Sequence, residues 1–425
     1  MALLLVVLAL CLIIGIPIAY SLGLSGLTYF IVYRPELLTI LPQRLFAGFN
    51  SYSMIALPLF ILMGQLMNDS GITQRIIDFS SLIFGKIKGG LGCINVFASM
   101  IFGGISGSSA SDTASIGAIL IPEMERRGYE KEFAAGITVA SSTMGMIIPP
   151  SVPMVLYCVT ADQSVGKLFL GGLIPGVLIG LSQLIINIVI SYKRDYPRED
   201  FEFSWNYVWN VTRQSLLALI MPLFVVGTVV LGIATANESA SFGVMYAIFI
   251  GLLIFRSVKV SSFPKLFLNA IKTCSSIMII IAISQLYLWI LSLERIPQAL
   301  ADFVVSMNLS PEFMLITIMI IILLAGTFID VSPAILLLTP VFLPATMSVG
   351  ISPVQFGALL IVGLAVGTVT PPVGTCLNVA SAISGLEIGR IFKGAIPFLI
   401  GNILVLLLIC LCPAVTTYLP DLLVK

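Results

Sequence analysis

Apolar stretches of about 20 residues recur along the whole chain, each long enough at 1.5 Å per residue to cross a hydrocarbon layer about 30 Å thick. Only 10% of the 425 residues are charged and 58% are hydrophobic. A water-soluble globule of that composition could not cover its surface, which in ordinary domains takes about 25% charged residues. The chain is therefore expected to be an all-α polytopic membrane protein whose main partner is the lipid bilayer. Its opening run, MALLLVVLALCLIIGIPIAY, has no basic segment before it and reads as a retained first span. The 36 Gly and 23 Pro are too many for simple straight spans. Such residues are tolerated at membrane depth where neighbouring helices or a cavity satisfy the backbone, so broken helices are expected.

Histidine is absent, which removes His-ligated metal sites, Ser-His-Asp hydrolysis and His proton relays together. No nucleophile–base pairing stands out, so an enzyme is disfavoured. A net charge of +1 leaves no electrostatic footprint for nucleic acid. Cysteines 11, 93, 158, 274, 376, 410 and 412 have no C-x-x-C spacing and read as small buried apolar side chains.

Charge marks the organisation. The densest polar run, Lys193 to Glu202, reads as a cytoplasmic linker (193–212) between residues 1–192 and 213–425. Placing it on the cytoplasmic side with Arg126, Arg127 and Lys131, and with Arg256, Lys259 and Lys265, follows the positive-inside rule. Residues 132–165 then run outward, 168–192 inward, 213–233 outward, 239–256 inward and roughly 272–293 outward, so that 354–387 runs inward. Asp162, Glu238, Glu294 and Arg295 fall near span ends and read as solvated. Trp205, Tyr207 and Trp209 read as an interfacial belt.

Sliding the chain by 222 residues aligns 104–175 with 326–397 without a gap. Pro122, Pro149, Pro150 and Pro175 fall on Pro344, Pro371, Pro372 and Pro397, and Gly104, Gly128, Gly145 and Gly172 on Gly326, Gly350, Gly367 and Gly394. That is eight coincidences in 72 positions, where about one is expected by chance. Because these residues set backbone breaks, a shared backbone path is the natural cause. The two copies have opposite predicted orientation, the signature of a secondary transporter with its site between them.

Each copy pairs a polar hairpin tip with a Pro-Pro break. The expected re-entrant hairpins are about 91–122 and 303–345, and the broken helices about 132–165 and 354–387. In the first hairpin, apolar segments 91–102 and 114–122 flank the polar stretch 103–113. Two consecutive prolines free carbonyls, and these with nearby hydroxyls suit a dehydrated monovalent cation. The rival reading is a proline kink packed by small residues. The paired hairpin tips favour cation sites: Ser106, Ser108, Gly145, Ile148 and Pro150, and by adding 222, Phe328, Asp330, Gly367, Thr370 and Pro372. Asp112 and Asp330 read either as functional intramembrane acids or as helix caps.

These residues resemble the large membrane subunit, DctM type, of tripartite ATP-independent periplasmic (TRAP) transporters. The carriers are GGISGSSASDTASIGAILIPEM at 103–124, RGYEKEFAAG at 127–136, SSTMGMIIPPS at 141–151, ERIPQALA at 294–301 and GTVTPPVGT at 367–375. The resemblance implies an elevator-type transporter of two inverted repeats, with scaffold and transport domains, in the bacterial inner membrane. It also implies Na+ coupling through two or more sites, with the first-copy residues matching the family's sodium pattern. A small four-helix membrane subunit, expected as a separate polypeptide, and a periplasmic substrate-binding protein are the implied partners. The cargo would be a small organic acid of the C4-dicarboxylate or sialic acid class. Ser109, Ser111, Asp112, Ser332 and Thr375 are candidates to face its carboxylate, where helix N-termini favour an anion. A stand-alone ion-coupled carboxylate carrier is the main alternative, and a channel a further one.

Overall fold

The computed structural model describes residues 2–47, 52–198, 204–296, 298–299, 302 and 310–424, and among them every regular element is helical. The opening apolar run is not one span. Helix α1 (Ala2–Ile13) ends before Gly15, whose φ of +86° suits glycine, and Pro17 then precedes α2 (Ile18–Tyr33). The single first span expected from the sequence is corrected accordingly. After the short α3 (Leu41–Ala47) come α4 (Ala56–Asp69) and α5 (Ile72–Phe84), which buries Ile72, Ile76 and Ile77 on one face.

Helices α6 (Gly90–Ser106) and α7 (Ser109–Arg126) form a hairpin, followed by α8 (Lys131–Ser142), α9 (Met144–Ile147) and α10 (Val152–Ala161). Long helices follow: α11 (Val165–Lys193), α12 (Trp205–Val230), α13 (Ala236–Phe249) and α14 (Phe263–Leu293). A second hairpin, α15 (Pro311–Phe328) and α16 (Val331–Ser348), leads into α17 (Pro353–Gly367) and α18 (Thr375–Ser384). The chain closes with α19 (Ile388–Leu411) and α20 (Ala414–Leu423). Residues 303–309 of the expected second hairpin, 199–203 of the linker, and 297, 300 and 301 of the 294–301 motif lie outside the described residues.

Among the described residues, seven helices are long and apolar enough to cross a membrane, or eight if the α8–α10 segment, bent by 41° at its break, counts as one. In the first hairpin the helices extend further into the polar stretch than its composition suggests. Only Gly107 and Ser108 interrupt them, because Gly107 adopts φ +62° and donates its N–H to the Gly103 carbonyl.

The residues matched by the 222-residue offset do matching local work. Gly128 (φ +87°) and Gly350 (φ +83°) each follow the second helix of a hairpin. Pro122 and Pro344 lie inside those helices, and Pro175 and Pro397 inside α11 and α19. Pro149–Pro150 and Pro371–Pro372 are both cis. The two broken segments run antiparallel. Glu132 at the start of α8 pairs with Arg390 at the start of α19, the helix that follows the second broken segment, while the Tyr157 hydroxyl in α10 donates to the Pro353 carbonyl at the start of α17 at 2.7 Å.

Small residues permit the closest crossings. A methyl group on Gly136 would overlap the Gly394 carbonyl carbon, and one on Gly394 would overlap the Glu132 carbonyl oxygen. Helices α8 and α19 thus meet backbone to backbone. Beyond α11, the linker is strapped to this end: Lys88 pairs with Asp195, Arg194 with Glu130, and the buried Tyr196 packs on Tyr129 and Phe133. Lys88 holds the Asp195 carboxyl below its usual range. A separate small core joins α2 to α14 through Leu22, Phe30, Leu286 and Ile290. Exposed Trp205 and Trp209 begin α12, as an interfacial position allows.

Forcing α8 and α19 apart should be costly. Gly394→Ala is expected to destabilise by about 2–3 kcal/mol, seen as a lower melting temperature in detergent. Gly389→Ala, nearer the start of the same helix with open space around it, should leave melting unchanged or slightly raised.

Candidate functional site

The first hairpin tip is shaped by Gly107, which ends α6 in the left-handed region, and by Ser108, which is extended at φ −148°. Ser108 opens α7 without a side-chain cap to that helix. Its N–H instead donates to the Ser106 hydroxyl oxygen at 3.2 Å, and the Ser106 hydroxyl donates to Asp112 Oδ1. Asp112 is fully buried, and its Oδ2 has no hydrogen-bond partner among the described residues.

The Pro-Pro break of the first broken helix wraps this tip. After α9 the chain is extended at Ile148 (ψ 124°) and Ser151 (ψ 129°), and the Ser151 hydroxyl secures the bend by donating to the Met146 carbonyl at 2.6 Å. Glycines let the two backbones touch. A methyl on Gly145 would overlap Asp112 Oδ2 and lie 3.1 Å from the Ser108 carbonyl oxygen. One on Gly104 would meet the Pro149 carbonyl oxygen at 2.9 Å, and one on Gly107 the Pro150 oxygen at 3.4 Å. Ser106, Ser108 and Gly145 are therefore drawn together at the Asp112 carboxylate, and Pro150 meets the same tip at Gly107. The Ile148 side chain packs toward Gly176 of α11, leaving only its backbone for the site.

Asp112, which the sequence offers as a functional intramembrane acid, as a substrate contact or as a cap, neither lines the cavity described below nor caps α7. The helical repeat explains this: four residues beyond Ser108, its side chain lies one turn inside the tip, on the side of Gly145.

The second copy is more open. Helix α15 ends at Phe328, Ile329 is extended, and Asp330 caps α16 by accepting the Val331 N–H at 2.9 Å. Gly326 and Gly367 meet backbone to backbone, since a methyl on Gly367 would lie 2.6 Å from the Gly326 oxygen. The Val373 N–H donates to the Thr327 carbonyl at 3.3 Å, tying hairpin to break. Phe328 and Pro372 are exposed, and the Thr370 hydroxyl donates to the Val366 carbonyl at 2.9 Å. The second predicted set is thus not gathered around a buried carboxylate as the first is.

A cavity of about 580 Å³ lies against both tips. Ser106 to Ser111 form one part of its wall, and Asp330, Ser332, Thr368 and Thr375 another. The lining is completed by Ile61, Gly64 and Gln65 of α4, which packs on the first tip at Gly64, and by Thr273, Ser276, Ile277 and Ile280 of α14. Of the predicted substrate residues, Ser109, Ser111, Ser332 and Thr375 are brought together here, while Asp112 is not. Sequence reasoning missed Gln65, Thr273, Ser276 and Thr368. The available signal was a polar residue inside an otherwise apolar helix, as in ALPLFILMGQLMND. No lining residue is Lys or Arg, and no cluster of three or more His, Cys, Asp or Glu side chains occurs among the described residues. The acids near span ends have local roles: Glu238 completes a capping box with Thr235, and Glu294 accepts from the Tyr29 hydroxyl.

Residues 5–415 match the family model of the tripartite ATP-independent periplasmic transporter, DctM component. The C4-dicarboxylate TRAP transporter large permease protein DctM of Pseudomonas aeruginosa is 36% identical, over 94% of this chain and 94% of that protein. The sialic acid TRAP transporter large permease protein SiaM of Vibrio cholerae is 32% identical, over 96% of this chain and 95% of that one. The YdaH transporter of Alcanivorax borkumensis has a similar fold, with a TM-score of 0.63 at 15% identity and 88% of each chain covered. With the apolar helices and these matches together, this multi-pass integral membrane protein belongs to the DctM family of TRAP transporter components.

Proposed function

We propose that the protein is the large permease of a sodium-coupled TRAP importer for a small organic acid. In this reading a periplasmic binding protein delivers the acid, and a small four-helix subunit completes the permease in the bacterial inner membrane. The relatives named for C4-dicarboxylate and sialic acid support the cargo class. The observation that carries the reading is the buried, half-partnered Asp112 carboxylate held between Ser106 and Gly145, directly behind a tip that lines the cavity and that the Pro149–Pro150 backbone meets at Gly104 and Gly107.

The donor set suits sodium. It is made of oxygen atoms, as hard cations prefer, and a buried carboxylate left without a full set of partners is costly unless a cation joins it. A second ion would sit where Gly326 and Gly367 meet, near Asp330 and Thr370. The cargo carboxylate would take the N-terminus of α7 at Ser109 to Ser111, where free N–H groups and the helix dipole favour negative charge. Sodium next to that tip would lower the cost of bringing the anion to membrane depth, and the coupling is reciprocal. The antiparallel broken segments support an inverted repeat, with the hairpins and broken helices as the moving body and helices such as α4 and α14 as scaffold.

Reconstituted with its small subunit and binding protein, the chain is expected to accumulate the acid saturably under an inward sodium gradient. Equal uptake with potassium in place of sodium, or without the binding protein, would defeat the proposal. At the ion site, Asp112→Asn should raise the sodium concentration for half-maximal uptake at least about tenfold, equivalent to ~1.4 kcal/mol. The same variant should melt no lower than the parent without sodium, because an uncompensated buried charge is gone, and should lose the sodium-induced rise in melting temperature. A preserved sodium shift in Asp112→Asn would remove this residue from the site.

A further inference from the structure

We infer that the cavity opens toward the cytoplasm along a polar stripe of α14, and that Lys272 on this stripe is a second, transient site for the cargo carboxylate as it leaves. The inference rests on the carboxylate cargo proposed above.

Helical spacing sets the stripe. Lys265, Asn269, Lys272 and Ser276 follow one another at intervals of four, three and four residues, which keeps them within an arc of about 60° on α14. All four are exposed. Ser276 lines the cavity, and its hydroxyl donates to the carbonyl of Lys272, one turn nearer the start of the helix, at 3.0 Å. The exposed apolar side chains of this half of α14, Phe267, Leu268 and Ile271, fall on a different side of the helix. That side suits lipid. The stripe does not, because Lys272 lies about 13 Å along the spanning helix from Phe263, and an ammonium at such depth belongs where water or an anion reaches it.

Neighbouring helices carry the cavity in the same direction. The Ser115 hydroxyl of α7 donates to Asn68 Oδ1 at 2.7 Å, and Lys265 lies within electrostatic reach of Asp69. Helices α7 and α14 therefore leave the cavity together, beside the last turn of α4. Beyond the cavity-lining Ser111, α7 exposes Ala114 and Ala118 at successive turns, small side chains that leave room for a passing solute.

Charge gives the stripe its use. The cavity lining holds no lysine or arginine, and Lys265 is offset by Asp69. Lys272 has no ion pair among the described residues. While sodium is bound, the first tip can hold the cargo carboxylate. Once sodium departs, the Asp112 carboxylate behind that tip repels the cargo, and the first fixed positive charge along α14 from Ser276 is Lys272. A hydrated ammonium on a flexible stem suits an anion that must be released again.

The test reads the field in this passage with probes of known charge. In the full-length chain reconstituted in liposomes, Ser276→Cys is modified by a methanethiosulfonate bearing a sulfonate or by one bearing an ammonium, each rate taken relative to a free thiol. The parent chain, whose own cysteines are buried or half-buried, is the blank. The sulfonate reagent should be favoured, Lys272→Gln should lower the sulfonate-to-ammonium ratio at least about tenfold, and Lys272→Arg should preserve it. An unchanged ratio in Lys272→Gln would put the ammonium among lipid headgroups and overturn the proposal. In the complete transporter, Lys272→Gln should slow sodium-driven uptake of succinate or sialic acid without moving the sodium concentration for half-maximal uptake; undiminished uptake overturns the transient site. A lowered ratio in a transporter that shows no sodium-driven acid uptake leaves the anion passage standing and removes the functional reading instead.

Discussion

Backbone groups that leave a helix inside hydrocarbon must find their partners within the protein, and this constraint shapes the centre of the molecule. Each broken segment is met by the turn of a hairpin. Around the first break the partners are close because glycine occupies the contact points: Gly104 against Pro149, Gly107 against Pro150 and Gly145 against Ser108. Had these positions carried side chains, the two backbones could not approach, and the oxygens gathered there would be separated. The same need explains Ser151, whose hydroxyl takes up a carbonyl released at the bend.

The two hairpins share glycine and proline placements but differ in chemistry. In the first, a carboxylate one turn inside α7 is buried beneath the tip and points at the break. In the second, the carboxylate stands at the tip itself, as the cap of α16. The two hairpins thus carry one enclosed acid and one cavity-facing acid. That asymmetry gives the cavity an uncapped helix start on one side and an occupied one on the other.

Much of this architecture is legible in the amino-acid sequence. The breaks at Pro149–Pro150 and Pro371–Pro372 and the glycines 222 residues apart are readable because proline and glycine act on their own backbone, so their effect is local. The gathering of Ser106, Ser108, Gly145 and Pro150 is likewise readable, from the pairing of tip and break. The role of Asp112 is not. A helix presents different faces at successive positions, and whether an acid in the first turn faces cavity, cap or neighbour depends on what packs beside it. Gln65, Thr273 and Ser276 escape notice for a related reason: a polar residue on an apolar helix has no meaning until its facing surface is known.

By itself, then, the sequence determined the solvent, the helical class, the places where helices break and the repetition of those breaks, all consequences of composition and local backbone chemistry. Only the tertiary structure decided which broken segment meets which tip, that Arg390 returns to Glu132, and which polar atoms share one cavity. These are relations between residues far apart in the chain, and they are set by close packing of whole helices, which no local pattern encodes.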